Sequence, residues 1–225
     1  MPGRAIPLIT DQVYHVLNRG TGSQPIFGGK RDYQRIWEAI FYYQNQNPGL
    51  SYSHFARLPL EQRTDFLNKL KAKSNFLVEI ITLCLLPNHF HLLLKQIKNG
   101  GISLFMSNLS NSYTRYFNTK NKRIGHLFQG KFKAVRIETD EQLLHVSRYI
   151  HLNPYSSYIV KNLGQLEVYP YSSLPEYLGI SKSSFFQKGI ILNQFKNVVA
   201  YKKFVFDQAD YQRKLEELKY LTLEK

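Results

Sequence analysis

Polar and apolar positions along the chain follow two periods. Four stretches carry an alternating or continuous apolar pattern of strand length: Val13 to Asn18, Leu77 to Leu86, His89 to Gln96, and Lys131 to Glu138. Side chains in a strand alternate between faces, so such stretches predict half-buried or buried β-strands. Three others repeat at helical spacing. The first runs from a cap at Asp32 to about Asn45, with Tyr33, Ile36, Trp37, Ile40 and Phe41 on one face. The second spans Ile102 to about Asn118, with Leu104, Phe105, Leu109, Tyr113 and Tyr116. The third covers Glu141 to about Leu152, capped by Thr139 or Asp140, with Pro154 expected to close it.

The order is β-α-(insert)-β-β-α-β-α. Its first six core elements predict an α/β (α+β) sandwich of ferredoxin-like, or RNA-recognition-motif-like, type: an antiparallel sheet with helices on one face. A polar helical insert occupies about 47–76, with Leu60, Phe66, Leu67 and Leu70 expected to form one stripe. The sequence thus divides into a core region, 1–158, and a charged, helical carboxy-terminal extension, 159–225, with a loop around Tyr169 to Ser173.

Hydrophobic residues make up 43% of the 225, enough for a substantial core. Charge changes the picture more. Thirty Lys and Arg against 16 Asp and Glu leave a formal +14, which favours a polyanionic partner. The longest apolar run, Leu77 to Leu86, holds Glu79 and is too short to span a bilayer. No apolar signal segment follows Met-Pro-Gly-Arg, so a cytoplasmic protein is expected. Cys84 alone allows neither an internal disulfide nor a cysteine zinc site.

The candidate chemistry sits in Leu86-Pro-Asn-His-Phe-His-Leu92. Strand parity puts His89 and His91 on one face and Phe90, Leu92 and Leu94 on the other. Two imidazoles on one rigid face can hold a divalent metal. On the third helix Tyr149 and Asn153 are four residues apart and share a face, with His145 one turn earlier, while His151 lies about 200° round from Tyr149. If that helix crosses the histidine face, Tyr149 can meet a metal held there as a nucleophile, and Asn153 can supply an oxygen ligand. A His/Asn set with open positions suits Mg²⁺ or Mn²⁺. His15, on the first strand, is given no role. The chain holds 16 tyrosines, but Tyr113 and Tyr116, the competing candidates, carry aromatic core spacing.

Four segments together resemble the single-tyrosine HUH transposases, the IS200-like and REP-associated tyrosine transposases. They are Tyr14-His-Val-Leu-Asn-Arg-Gly20, Leu86-Pro-Asn-His-Phe-His-Leu92, Gly125-His-Leu-Phe-Gln-Gly-Lys-Phe-Lys133 and Ser147-Arg-Tyr-Ile-His-Leu-Asn-Pro154, with Pro170-Tyr-Ser-Ser173 extending the match weakly. The resemblance implies that His89 and His91 bind a divalent metal and that Tyr149 is the nucleophile. Asn153 stands where the family often has Gln; being one methylene shorter, it ligates directly or through a water. The resemblance further implies single-stranded, usually hairpin-forming DNA as substrate, a 5′-phosphotyrosine, a free 3′-hydroxyl and a homodimer, with no nucleotide cofactor.

Basic residues interleaved with aromatics suit a nucleic-acid strand, because cations track phosphates and rings stack on unpaired bases. The candidates are Lys120, Lys122, Arg123, Lys131, Lys133 and Arg136, with His126 and Phe128 among them and Arg19 in the first loop. A non-catalytic nucleic-acid-binding protein is the alternative. It would need exposed aromatics, in place of histidines, on the open sheet face.

Overall fold

In the computed structural model, which describes residues 7–73, 75–182 and 185–223, four strands form one antiparallel sheet: β1 (Val13–Arg19), β2 (Val78–Leu86), β3 (His89–Gln96) and β4 (Lys133–Ile137). The segment read for a signal, Met-Pro-Gly-Arg, lies outside these residues. The strand order is β2-β3-β1-β4, the order of a ferredoxin-like sheet. β3 spans the bounds its alternation predicts, and the other strands shift by one or two residues at their ends. β2 and β3 are joined through Pro87 and Asn88 alone. Ile26 and Phe27 donate to the Pro87 carbonyl, and Gly20 donates to that of Asn88. A side chain on Gly20 would stand 2.5 Å from the Gln24 carbonyl oxygen, so the loop packs this tightly only with glycine there.

One face carries Tyr14, Val16, Phe90, Leu92, Leu94, Leu83 and Leu85, all buried under α1 (Lys30–Tyr43) and a second long helix, Gly101–Lys120. Between α1 and β2, the insert forms α2 (Tyr52–Phe55) and α3 (Leu60–Lys73), and Gly101–Lys120 is therefore α4. The insert's apolar stripe is narrower than its spacing suggests: Leu70 is buried, whereas Leu60 and Leu67 are 72% and 43% exposed.

The opposite face is also covered. α5 (Asp140–Ser156) lies mainly over β2 and β3, where its Leu143, Ile150 and Leu152 join Ile81, Cys84, Leu86 and Leu93 in a second core. Residues after 158 complete this core through α6 (Leu163–Glu167), α7 (Leu174–Tyr177), α8 (Gly189–Leu192), α9 (Val198–Phe206) and α10 (Ala209–Leu223). The stretch around Tyr171 also closes the outer edge of β2. Leu85 N–H donates to the Tyr171 carbonyl, Ser173 N–H to Leu83, and the Tyr169 and Tyr177 hydroxyls to Leu85 and Ile81. An edge that would otherwise expose unpaired backbone is thereby satisfied. Among the described residues no helix is long and apolar enough to cross a membrane.

Two helix ends differ from expectation. Asp32 lies inside α1, where it accepts from the Gly28 amide, Tyr116 and Lys120, and Gly29 is the cap. Pro154 does not close α5, which continues to Ser156 with Ser157 as its C-cap. Proline's φ suits a helix, and burial of Tyr155 and Ser156 offsets the missing N–H.

Asp32 is 1% exposed and its Lys120 partner 38%, at 2.6 Å. Burial by itself raises the Asp32 carboxyl, but hydrogen bonds from Lys120, Tyr116 and Gly28 outweigh it and hold the group below its ordinary value. Ionised Asp32 therefore stabilises the fold above its unfolded pKa, and that contribution is lost as pH falls through the lower folded value. Asp32→Asn is expected to cost about 1–3 kcal/mol at neutral pH. In urea denaturation the gap from wild type should narrow below about pH 4.

Candidate metal and nucleophile site

Register places the site's side chains before any distance is considered. Leu17 pairs with His91 and Arg19 with His89 in the β1–β3 ladder, and Lys133 pairs with Leu17 in the β1–β4 ladder. Opposed residues in a ladder share a face. His89, His91, His15, Leu17, Arg19, Lys133 and Val135 therefore all lie on the face that α5 crosses.

Two hydrogen bonds orient the paired imidazoles. His89 Nδ1 lies 2.6 Å from Asn88 Oδ1, and the Asn88 amide nitrogen donates to the Ser23 carbonyl, which sets the direction of that amide. His89 thus carries its proton on Nδ1, leaving Nε2 as the lone-pair nitrogen. His91, 5% exposed, has Nδ1 at 2.9 Å from His15 Nε2, with the two rings stacked. For His91 to offer Nε2 as a lone pair, its Nδ1–H must donate to His15. The His89 and His91 rings are 5.0 Å apart.

Tyr149 meets this pair within one chain. Its ring lies 5.6 Å from that of His91 and 6.1 Å from that of His15, edge-on to both. α5 holds it there: Thr139 caps the helix through Gln142 N–H, and Ile150 is buried in the second core. Asn153, one turn on, is buried and donates to the Tyr149 carbonyl at 2.8 Å. Gln212 of α10 donates to the same carbonyl at 3.1 Å and to Ser156, tying the carboxy-terminal helix to the turn that carries the phenol.

The competing residues are engaged elsewhere. Tyr113 is fully buried with its hydroxyl on the Ile26 carbonyl, and Tyr116 donates to Asp32. His151 is a core histidine, with Nδ1 2.7 Å from the Tyr201 hydroxyl and Nε2 2.7 Å from Ser173 Oγ. His145 contacts Arg148 at 2.7 Å.

The structure separates the basic and aromatic candidates. Arg19 and Lys133 are exposed on the histidine face, and Arg19 is close enough to His89 to disfavour its protonated form. Arg136 pairs with Tyr14 on the opposite face and contacts Gln12. Lys120 ends α4, where it pairs with Asp32. Arg123 donates to the His126 carbonyl and lies over Phe117, while Lys122, His126 and Lys131 are exposed in the loop before β4. Phe128 is buried, packing on Phe90 and Tyr113, because its backbone bridges Gly20.

Residues 61–153 match the family described as Transposase IS200 like. Over that stretch the chain is similar to the IS200-like transposases. The matched span holds β2 through most of α5, and with them His89, His91, Tyr149 and Asn153. A solved REP-associated tyrosine transposase bound to a REP hairpin is similar over 83% of this chain and 98% of its own, with a TM-score of 0.51 at 14% identity, a likeness of fold. No curated protein matches the sequence significantly.

His15, Asn88 and Gln212 are the site residues the sequence reading missed. For His15 a signal existed, since it stands at an odd position of the first strand, as Arg19 does. For Gln212 none did, because nothing in a helical tail points to one carbonyl some sixty residues earlier.

Burial holds His15 and His89 at a pKa of about 4 and His151 at about 3; proximity to Arg19 adds to the His89 shift. In metal-free protein, ¹⁵N-detected NMR should show all three neutral from pH 8 to about pH 5. Unfolded imidazoles take up protons near pH 6.5. Stability should therefore fall as pH drops from about 6.5 towards 4, the unfolded chain binding more protons over that window.

Proposed function

We propose that this protein is a transposase, a metal-assisted single-stranded DNA endonuclease and strand transferase with Tyr149 as nucleophile. The observation that carries the reading is the approach of the Tyr149 ring to within 5.6 Å of His91 in a single chain. Two imidazoles with Nδ1 hydrogen-bonded fit the role of metal ligands through Nε2. Among the described residues no group of three or more His, Cys, Asp or Glu could hold a metal. The remaining positions would fall to the Asn153 oxygen, its nitrogen being engaged by Tyr149, to water, or to the phosphate itself. Such a mixed, open set suits Mg²⁺ or Mn²⁺. Held by His89 and His91, the cation would supply Lewis-acid charge to the non-bridging phosphate oxygens.

The chain's own residues do the rest. The Tyr149 oxygen attacks the phosphorus and loses its proton. A Tyr–O–P bond forms while the P–O3′ bond breaks, and the departing oxygen takes a proton to become a free 3′-hydroxyl. The 5′-phosphotyrosine keeps the energy of the broken diester, and attack by another 3′-hydroxyl reverses the step and joins strands. α5 and Gln212 hold the phenol in position. His15, with a pKa of about 4, is a weak proton acceptor for a phenol, so its part is to orient His91. Arg19 and Lys133 line the open part of the face beside β1 and β4, where an incoming strand would pass.

Hairpin-containing DNA ends are the proposed substrate, as the resemblance implies and as the solved relative's hairpin complex supports. A homodimer would duplicate this site rather than complete it. The stacking-platform alternative has little to stand on: the exposed positions next to the histidines are Arg19, Lys133 and Val135, none of them aromatic.

Incubation with a labelled hairpin oligonucleotide and Mn²⁺ should give a covalent adduct that survives denaturing electrophoresis. Tyr149→Phe should abolish it and retain DNA binding; an adduct persisting in that variant would move the nucleophile elsewhere. His89→Ala or His91→Ala should remove the metal-stimulated cleavage, and full activity in EDTA would contradict the metal role. By calorimetry, His15→Ala should weaken Mn²⁺ binding roughly tenfold or more, the effect of losing an outer-shell partner.

A further inference from the structure

The helical layer on the other side of the sheet holds a second charged surface. There α1, α4 and the α2–α3 insert enclose a groove of about 950 Å³. Arg31 and Arg35 come from α1, Arg57 and Arg63 from the insert, and Arg115 from α4, with Glu38 the one carboxylate among the lining residues. Glu38 is already engaged by Gln34 and Tyr52. Most of the remaining lining is amide and hydroxyl, including Asn108, Asn111 and Ser112.

Two features point to a ligand rich in acceptors. Arg35 and Arg63 each have a buried Nε with no hydrogen-bond partner. A buried, unpaired guanidinium N–H is costly unless an acceptor arrives. Arg35 donates to Ser53 and Ser112, so it already joins the insert to α4 across the groove. It also lies 4.0 Å over the Tyr52 ring and 5.4 Å from that of Tyr116, which leaves those faces poorly placed to stack on bases. The groove offers many N–H donors and few free aromatic faces, a lining that suits a phosphodiester backbone better than unpaired bases.

We propose that this groove binds the backbone of double-stranded DNA, and specifically the stem of a hairpin whose single-stranded flank runs to the histidine face. The stem assignment rests on the function proposed above. The route is continuous in the chain: α4 leads into the loop bearing Lys122, Arg123 and Lys131, which is bonded to Arg19, Gly20 and Thr21 at the end of β1 and runs on to Lys133 on the histidine face. The helical insert then has a role, as the wall that adds Arg57 and Arg63 to the groove.

The test uses the full-length protein and fluorescence anisotropy with a blunt DNA duplex over a range of salt. Arg31 and Arg115 are exposed, so Arg31→Ala/Arg115→Ala should fold normally. Its duplex affinity should fall roughly tenfold near 0.1 M salt, and its log–log salt slope should become shallower by about 2. A matched loss of charge elsewhere, Lys161→Ala/Lys196→Ala, should keep the wild-type affinity and slope. Unchanged duplex binding in the arginine variant, or an equal loss in the lysine control, would overturn the groove. An equal loss for a stemless single strand would overturn the stem assignment. Tyr149→Phe should bind the duplex as wild type does. If wild-type protein forms no covalent adduct while duplex binding still depends on Arg31 and Arg115, the catalytic reading falls and the groove stands.

Discussion

The pairing of β3 between β2 and β1 is the constraint on which the rest depends. A strand presents alternate residues to opposite faces, and here the alternation separates two kinds of chemistry. Phe90, Leu92 and Leu94 enter the core beneath α1 and α4, while His89 and His91 stand on the other side. A one-residue slip would bury both imidazoles among leucines and turn Phe90 towards α5. The short Pro87–Asn88 connection, anchored by amides from Gly20, Ile26 and Phe27, opposes such a slip. The same turn supplies Asn88, which sets the tautomer of His89.

A second constraint concerns the face above the histidines. An open sheet face would leave Tyr149 on a helix with nothing to hold it. The carboxy-terminal segment removes that freedom. It closes the edge of β2, builds the second core, and reaches back through Gln212 to the Tyr149 carbonyl. His151 belongs to this scaffold: neutral and fully buried, it joins α5 to Tyr201 and Ser173. The helix that presents the phenol is thereby fixed from its far side. The part of the face over β1 and β4 stays open, with Arg19 and Lys133 at its margin.

Charge divides between the two sides of the sheet. The histidine face offers a few cations beside a small, geometrically exact site. The helical face offers a broad arginine groove without reactive groups. In the proposed function these surfaces divide the work: backbone contacts in the groove would supply affinity, and the histidine face would supply chemistry.

The sequence by itself determined the strand and helix order, the ferredoxin-like class, the sharing of one face by His89 and His91, and the pairing of Tyr149 with Asn153 along a helix. These follow from periods of two and of about 3.6, which are local properties of the chain. Only the tertiary structure decided that α5 crosses the histidine face, that His15 contacts His91, that Gln212 returns to Tyr149, and that Arg136 and Phe128 turn away while Lys133 does not. It also decided that Pro154 is carried inside α5 rather than ending it. The reason is physical: local pattern sets which way a side chain points from its own element, but contacts between residues far apart in sequence depend on how separate apolar faces find a common core, and no short window of residues contains that information.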